Sequence, residues 1–230
     1  MQVVNGFRQR GEAMTRLETF TDAAFAFAVT MLVIGGGDSI PVNFDEMAAA
    51  MKQVPAFAAS FANILLFWYA HHVWSRRYDL DDFGAALWSF ALVFVVLVFI
   101  YPLKALYSGA FHGFSDGYFE TYFAFKSADD IRTMFIIFGT AYIALSGVIV
   151  MLNRHALSKK EELRLNELEV YETVSTLRHW FINMVVPGIS IVLALNLPDE
   201  WIGIAGWVYG SFGILLPWYG IRRARGRPAT

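Results

Sequence analysis

Residues 14–37 read MTRLETFTDAAFAFAVTMLVIGGG, and they decide how the rest of the chain is interpreted. Between positions 20 and 34 this stretch is apolar apart from Thr21, Asp22 and Thr30. About twenty residues of this kind span the hydrocarbon core of a bilayer as a helix. An ionised carboxylate inside such a helix is costly unless it is paired or hydrated, so Asp22 marks a functional or architectural site.

The composition extends this interpretation to the whole chain, because 57% of the residues are hydrophobic and only 17% are charged. We therefore predict an all-α membrane protein that forms a single domain over residues 1–230. The absence of cysteine excludes disulfides, thiol catalysis and thiolate metal sites. The six predicted membrane spans cover residues 17–36, 50–73, 83–107, 132–153, 180–197 and 201–221.

The distribution of basic residues predicts the orientation of these spans. With both termini in the cytoplasm, fourteen of the 18 Lys and Arg residues lie inside and four lie outside. Only an even number of spans produces this asymmetry cleanly. The basic tail RRARGRPAT is then a topology anchor on anionic lipid headgroups, which leaves no reason to invoke nucleic-acid binding.

The segments between the spans carry expectations of their own. We predict a long polar loop over residues 108–131 and either a short amphipathic helix or an extension of the fifth span over residues 158–177. Pro102 comes late enough in the third span to kink or end its helix, and Pro187 predicts a kink in the fifth span.

One face of the first span carries Phe27, Thr30, Met31 and Ile34, which follow helical i, i+3, i+4, i+7 spacing, with Ala23 one turn below. Such an apolar face most often packs against neighbouring helices. It could also line a narrow pore in which apolar side chains gate by excluding water. Spacing alone leaves both interpretations open.

The second span ends with Trp68, His71 and His72, level with Asp22 near the same membrane surface. The two His side chains either bond to neighbours and headgroups, or one of them bonds Asp22 or Thr21 and ties two helices together. Adjacent His side chains diverge on a helix, so we expect neither a metal site nor a bound cofactor. Without a Ser-His-Asp order, a phosphate loop or paired intramembrane carboxylates, an enzyme and a proton-driven carrier are both disfavoured.

Two of these motifs resemble a known family. The run Arg16-Leu17-Glu18-Thr19-Phe20-Thr21-Asp22 resembles the Arg-x-x-x-Phe-Ser-Asp signature of the transmembrane protein 175 family, which comprises potassium-permeable channels of bacteria, archaea and animal lysosomes. The end of the second span is similar to the family's aromatic-His-His pattern. The order of six spans agrees with the family over nearly the whole chain.

The resemblance implies a homotetramer in which the first helix of each subunit lines a central pore. It also implies a narrowest ring at Phe27, further apolar rings at Met31 and Ile34, and a hydroxyl ring at Thr30. By analogy, the signature residues hold the first helix in place through contacts that include His71 or His72. These signature residues are Arg16, Phe20, Thr21 and Asp22.

The sequence departs from the family pattern at two positions. Thr21 replaces Ser and keeps the hydroxyl, whereas Phe27 replaces the usual Ile or Leu, so that four phenyl rings would seal or reshape the pore. A second Phe-Ser-Asp run at residues 114–116 lacks both the preceding Arg and a following apolar span, so we treat it as coincidence. Without a TVGYG filter, selectivity must come from a narrow apolar constriction with hydroxyls.

The predicted function is therefore a passive channel for potassium and other monovalent cations, in the bilayer of a prokaryotic plasma membrane. One alternative is a secondary transporter or proton-conducting protein that uses Asp22 and His71. Another is a membrane scaffold or enzyme subunit without transport activity.

Overall fold

The computed structural model describes residues 2–34 and 41–228, and for Ile34 it describes the backbone alone. A hairpin of two antiparallel strands, β1 (Gln2–Val4) and β2 (Phe7–Gln9), precedes a set of helices. The helices are α1 (Arg16–Ile34), α2 (Phe44–Lys52), α3 (Val54–Tyr78), α4 (Phe83–Phe114), α5 (Ala128–Ser158), α6 (Glu167–Asn196), α7 (Ile204–Trp207) and α8 (Phe212–Arg225).

Five segments of the described chain are long and apolar enough to cross a membrane, namely α3, α4, α5, α6 and residues 199–225. They coincide with the second to sixth predicted spans. Helix α1 is not among them because Arg16, Glu18 and Asp22 fall within its first two turns. The prediction of an all-helical membrane protein is confirmed, and the first span, which α1 would form, remains a prediction.

The helices continue beyond the predicted spans, because hydropathy marks only the apolar residues that report on the bilayer. Helix α4 runs through Pro102 to Phe114, so part of the expected loop over residues 108–131 is helical. Helix α6 starts at Glu167, which makes the polar segment an extension of the fifth span. The second span is split at Gln53, which separates α2 from α3.

The last predicted span, residues 201–221, is not one regular helix. A 3-10 turn over Asp199–Trp201 leads into α7, a second 3-10 turn covers Val208–Ser211, and α8 follows. Glycine lowers helix stability by about 1 kcal/mol relative to alanine, and four glycines fall between positions 203 and 213. Their spacing explains why the segment alternates between helix types.

The core joins five helices along their apolar faces. Leu32 of α1, Ile64 of α3, Phe99 of α4, Leu145 of α5 and Trp180 of α6 are all buried in one cluster. Without a hydrophobic driving force between helices in lipid, close packing of this kind supplies much of the stability.

Helices α5 and α6 form the most extensive helix pair in the described chain. They approach each other closely at Gly139, where an added Cβ would lie 2.8 Å from Cγ1 of Ile191 and 3.3 Å from the carbonyl oxygen of Pro187. A small residue at this position therefore permits the approach of the two backbones.

The N-terminal hairpin is docked onto the first turn of α6 by a buried carboxylate. Glu169 accepts hydrogen bonds from the backbone N–H and the guanidinium of Arg8, from the guanidinium of Arg10 and from the backbone N–H of Asn166. Because Asn166 in turn caps Glu169, the carboxylate completes a capping box. A single side chain thus fixes both the helix start and the hairpin.

The hairpin also packs against the end of α3. Phe7 is buried edge-on against Tyr78, and the backbone N–H groups of Arg10 and Gly11 donate to the carbonyl of Arg76. Hence the hairpin belongs to the folded body of the chain.

A second polar cluster joins α4 to the end of α5. Asp82 caps α4 through the N–H of Ala85 and also accepts from Nε2 of His155 at 2.8 Å and Nζ of Lys159 at 2.7 Å. Burial opposes the charged carboxylate, but these bonds outweigh it and hold the pKa of Asp82 well below its usual range. Asp82 is therefore ionised throughout the physiological range of pH.

Candidate functional site

Helix α1 has one face packed into the subunit and one face that the rest of the chain leaves uncovered. Thr21, Phe25, Ala28 and Leu32 are buried, and their spacing of three or four residues places them on one side of the helix. On the other side, Phe27 keeps 57% of its surface exposed. A bulky apolar face uncovered within one subunit requires lipid or another subunit to cover it.

The predicted pore-lining residues divide between these two faces. Ala23, Phe27 and Thr30 are exposed and follow one another along the helix, whereas Met31 is partly buried against the core. The side chain of Ile34 lies outside the described part of the structure. The structure thus places three of the predicted residues on one accessible stripe and turns Met31 partly away from it.

Thr30 has a hydroxyl suited to contact with a cation or water. Its Oγ1 donates to the carbonyl of Ala26 at 3.0 Å, one turn earlier in the same helix. Since that bond uses the only proton, the oxygen lone pairs on the exposed face remain available as acceptors. The residue can therefore present partial negative charge without a carboxylate.

Asp22 is held by the second span. Its Oδ1 accepts a hydrogen bond of 2.8 Å from Nε1 of Trp68, and the Trp68 ring stacks on His72 with centroids 5.3 Å apart. Phe20, two residues earlier, packs edge-on against Phe90 of α4. The motif residues of α1 thus contact both α3 and α4.

The His pair takes different partners from those expected. His71 is buried and bonds Oγ of Ser89 on α4 at 2.9 Å, while Nδ1 of His72 lies 3.7 Å from the Glu18 carboxylate on α1. Of the two interpretations of the His pair, the one in which an imidazole bonds Asp22 or Thr21 is wrong. The indole of Trp68, about one turn earlier on α3, is the group that reaches Asp22.

Thr21 bonds within its own helix, since its hydroxyl donates to the carbonyl of Leu17. Arg16 is exposed, and it forms no ion pair with any residue in the described ranges. These two members of the predicted network therefore make no polar contact between helices within the described part of one subunit.

Glu18 belongs to the network although the sequence interpretation did not single it out. Its side chain is almost fully buried beside His72. Glu18 precedes Asp22 by four residues, so both carboxylates face the same neighbouring helix. This spacing was the signal available in the sequence.

No group of three or more His, Asp or Glu side chains in the described residues is arranged to hold a metal ion. The Asp22 carboxylate accepts from an indole, the Thr21 hydroxyl donates to a backbone carbonyl, and the Glu18 carboxylate lies beside an imidazole. The site therefore consists of an uncovered apolar and hydroxyl face on a helix whose other side is anchored.

Comparisons with known proteins agree on one family. The family model described as endosomal/lysosomal potassium channel TMEM175 matches residues 16–102, which extend from the first residue of α1 into α4. A protein of Marivirga tractuosa named potassium channel is 33% identical over 200 residues, which cover 85% of this chain and 79% of that protein.

Two solved structures are similar to the whole chain. One is the potassium channel MtTMEM175, crystallised as a variant in complex with a nanobody fusion protein. It superposes with a TM-score of 0.83 at 29% identity, and the match covers 98% of this chain and 100% of that chain. A homologue of the lysosomal potassium-selective channel TMEM175, from Chamaesiphon minutus, gives a TM-score of 0.56 at 19% identity. The similarity covers 90% of this chain and 96% of that chain, and it shows the fold alone.

Proposed function

The chain belongs to the TMEM175 family, and on this premise we propose that it is a passive potassium-permeable channel whose pore is lined by α1. The observation that carries the assignment of the pore is the uncovered face of α1. Phe27 is more than half exposed there, on a helix whose opposite face is buried in the subunit core.

One helix cannot enclose a path for ions, so the proposal requires several copies around an axis. We propose a homotetramer in which four α1 helices present Ala23, Phe27 and Thr30 to the centre. The exposed Phe27 would then be covered by its own symmetry copies. This arrangement supplies a partner for the apolar face without exposing it to water.

The chemistry of the lining suggests how cations are selected and stopped. Four Phe27 rings form an apolar constriction that excludes water when narrow, and this raises the barrier for a hydrated cation. One turn further along, the Thr30 hydroxyls offer acceptor lone pairs that replace part of the hydration shell. Met31 and Ile34 extend the apolar section of the pore.

The distribution of basic residues supports the proposed setting. Both termini and the Arg-rich end of α8 lie in the cytoplasm, α1 is the first of six spans, and the protein resides in a prokaryotic plasma membrane. The permeant ions are potassium and other monovalent cations.

The transporter alternative gains no support from the geometry. Asp22 and His71 are engaged with Trp68 and Ser89 respectively, so the two proposed proton carriers bond to different partners. A proton path needs neighbouring groups that exchange protons.

The test is ion flux from proteoliposomes that contain the full chain. We expect flux that follows the potassium gradient and a higher flux for Phe27→Ala, because the apolar constriction widens. Phe181→Ala on α6 is the matched control, since Phe181 is similarly exposed at 61% and lies on a different helix. Equal fluxes for the parent and Phe27→Ala, or uptake against the gradient, would overturn the proposal.

A second measurement asks directly whether position 27 faces the pore. Because the chain has no cysteine, Phe27→Cys carries a single thiol. A charged, membrane-impermeant thiol reagent should block flux through Phe27→Cys and leave Phe181→Cys unaffected. Block of both variants, or of neither, would contradict a pore lined by α1.

A further inference from the structure

A cavity of about 300 Å³ lies between the end of α3, α6 and the basic end of α8. The basic residues among those that line it are Arg77, Arg223 and His179. Its apolar wall is formed by one face of α3. We refer to it as the Arg77–Arg223 cavity. It is separate from the exposed face of α1.

Arg77 lacks an acidic partner. Its guanidinium carbon lies 4.6 Å from the centre of the Phe7 ring, and no carboxylate in residues 2–34 or 41–228 lies within ion-pair distance of it. A cation–π contact uses the face of the guanidinium and leaves the N–H groups at its edge free to donate. Five donors in a planar fork suit a phosphate or carboxylate.

The neighbouring charges add to this excess of positive charge. Arg223 and Arg227 both pair with the single buried carboxylate of Glu172, Arg227 through Nε at 2.9 Å. Two guanidinium groups therefore share one carboxylate, and the guanidinium of Arg77 adds a third positive charge at this end of the molecule. Like charges held together in a partly buried site repel, and a bound anion relieves that repulsion.

The apolar wall indicates what kind of anion fits. Leu66, Ala70 and Val73 follow the helical spacing that leads along α3 to Arg77, and Leu66 is exposed. Eleven residues of helix rise about 16 Å. This length matches one leaflet of a hydrocarbon core about 30 Å thick.

We propose that the Arg77–Arg223 cavity binds an anionic phospholipid, with its phosphate between the two guanidinium groups and an acyl chain along the apolar face of α3. The proposed orientation of the spans places this lipid in the cytoplasmic leaflet. The choice of an anionic phospholipid as the ligand does not depend on that orientation. Since Arg77 belongs to α3 and Arg223 to α8, the phosphate links two helices that are distant in sequence.

The test uses the purified full chain in a neutral detergent, with phosphatidylglycerol as the anionic lipid and phosphatidylcholine as the neutral one. At a hundredfold excess over Kd, phosphatidylglycerol should raise the unfolding midpoint by roughly 5 to 10 °C. Arg77→Gln should lose this shift. Arg225→Gln removes the same charge from an exposed position on α8, and this variant should keep the shift of the unfolding midpoint.

A second variant separates lipid from a soluble anion. Ala70→Phe fills the apolar wall without changing a charge, so it should abolish the response to phosphatidylglycerol. Inorganic phosphate in a phosphatidylcholine background should produce no comparable shift. An equal shift from inorganic phosphate, or an unchanged response of Ala70→Phe, would overturn the choice of a lipid.

Native mass spectrometry keeps the test decisive if Arg77→Gln is poorly folded. The parent and Arg225→Gln should retain phosphatidylglycerol, and Ala70→Phe should bind it at least about tenfold more weakly, because the acyl chain loses its path. Equal retention by all three proteins would refute the site. Failure here would leave the flux test of Phe27 unaffected, because the cavity lies outside the proposed pore.

Discussion

Replacing Glu169 with glutamine should detach the N-terminal hairpin from α6. The Glu169 carboxylate is fully buried and receives five hydrogen bonds from Arg8 and Arg10, including one of 2.6 Å from Nη2 of Arg8. A neutral amide offers one acceptor oxygen and turns an N–H group towards the remaining donors. Both guanidinium groups then lose their counter-charge.

The loss of stability in Glu169→Gln depends on how well water can solvate the two guanidinium groups that lose their carboxylate. Breaking a buried ion pair costs about 3–5 kcal/mol. The Arg10 side chain is only 9% exposed, but that of Arg8 is 33% exposed and water can solvate it. We therefore take the lower end, about 3 kcal/mol. For a chain of this length, that loss lowers the unfolding midpoint by roughly 6 to 12 °C.

The assay is thermal unfolding of the full chain in detergent, followed by tryptophan fluorescence. Glu167→Gln is the matched control, because it makes the same substitution two residues earlier on the same helix at an exposed position. Its midpoint should stay within about 2 °C of the parent. Trypsin supplies a local readout, since release of the hairpin exposes the bond after Arg10.

The reasoning would be refuted if Glu169→Gln unfolded within about 2 °C of Glu167→Gln. Such a result would mean that the hairpin contributes little to the folded state. Rapid tryptic cleavage of the parent itself would lead to the same conclusion.

Three further substitutions test contacts at the ends of the helices and at the site. The depressed pKa of Asp82 stabilises the folded state above about pH 4, and this contribution is lost as the pH falls further. Asp82→Asn should therefore lower the unfolding midpoint between about pH 5 and pH 8. Below about pH 4 the midpoint of the variant should approach that of the parent. Trp68→Phe removes the donor to Asp22 and should cost about 1.5–3 kcal/mol, with a coupling free energy above about 1 kcal/mol in a double-mutant cycle with Asp22→Ala. Gly11→Ala places a Cβ 3.2 Å from the carbonyl oxygen of Ser75, and we expect a loss of about 1–3 kcal/mol in thermal unfolding.

The apolar spans were predictable because hydropathy reports directly on the bilayer. The predicted span over residues 83–107 lies entirely within α4. The helix ends were not predictable in this way, since helices continue into water wherever a cap supports them. At the start of α6, the capping box formed by Asn166 and Glu169 sets the boundary, and hydropathy is insensitive to it.

The N-terminal hairpin was missed although the sequence contains a signal for it. Asn5 and Gly6 both have positive φ, 51° and 78°, and an Asn-Gly pair is typical of a two-residue hairpin turn. Each strand has only three residues, too few for an alternating pattern to be visible. The hairpin is stable because Arg8 and Phe7 find partners elsewhere in the fold, and sequence spacing does not reveal those partners.

The candidate site was partly predictable from the sequence. Helical spacing groups Phe27, Thr30, Met31 and Ile34 on one face of α1 with Ala23 below, and of these the structure exposes Ala23, Phe27 and Thr30 but partly buries Met31. Spacing cannot tell which polar partner on α3 reaches Asp22, because this depends on side-chain length and on the distance between helices. The indole of Trp68 spans that distance.

The anchored side of α1 determines what the uncovered side presents. In an α-helix each residue turns the side chain by about 100°, so a rotation by one residue would replace Phe27 with a neighbour on the free face. Two contacts oppose such a rotation, Asp22 with Trp68 and Glu18 with His72, and both lie in the first two turns. In the proposed channel these groups never meet the permeant ion, but they set the rotation of the helix and hence the identity of the constriction. A substitution at Trp68 should therefore change the potassium flux through the position of Phe27, although the two side chains lie on different helices.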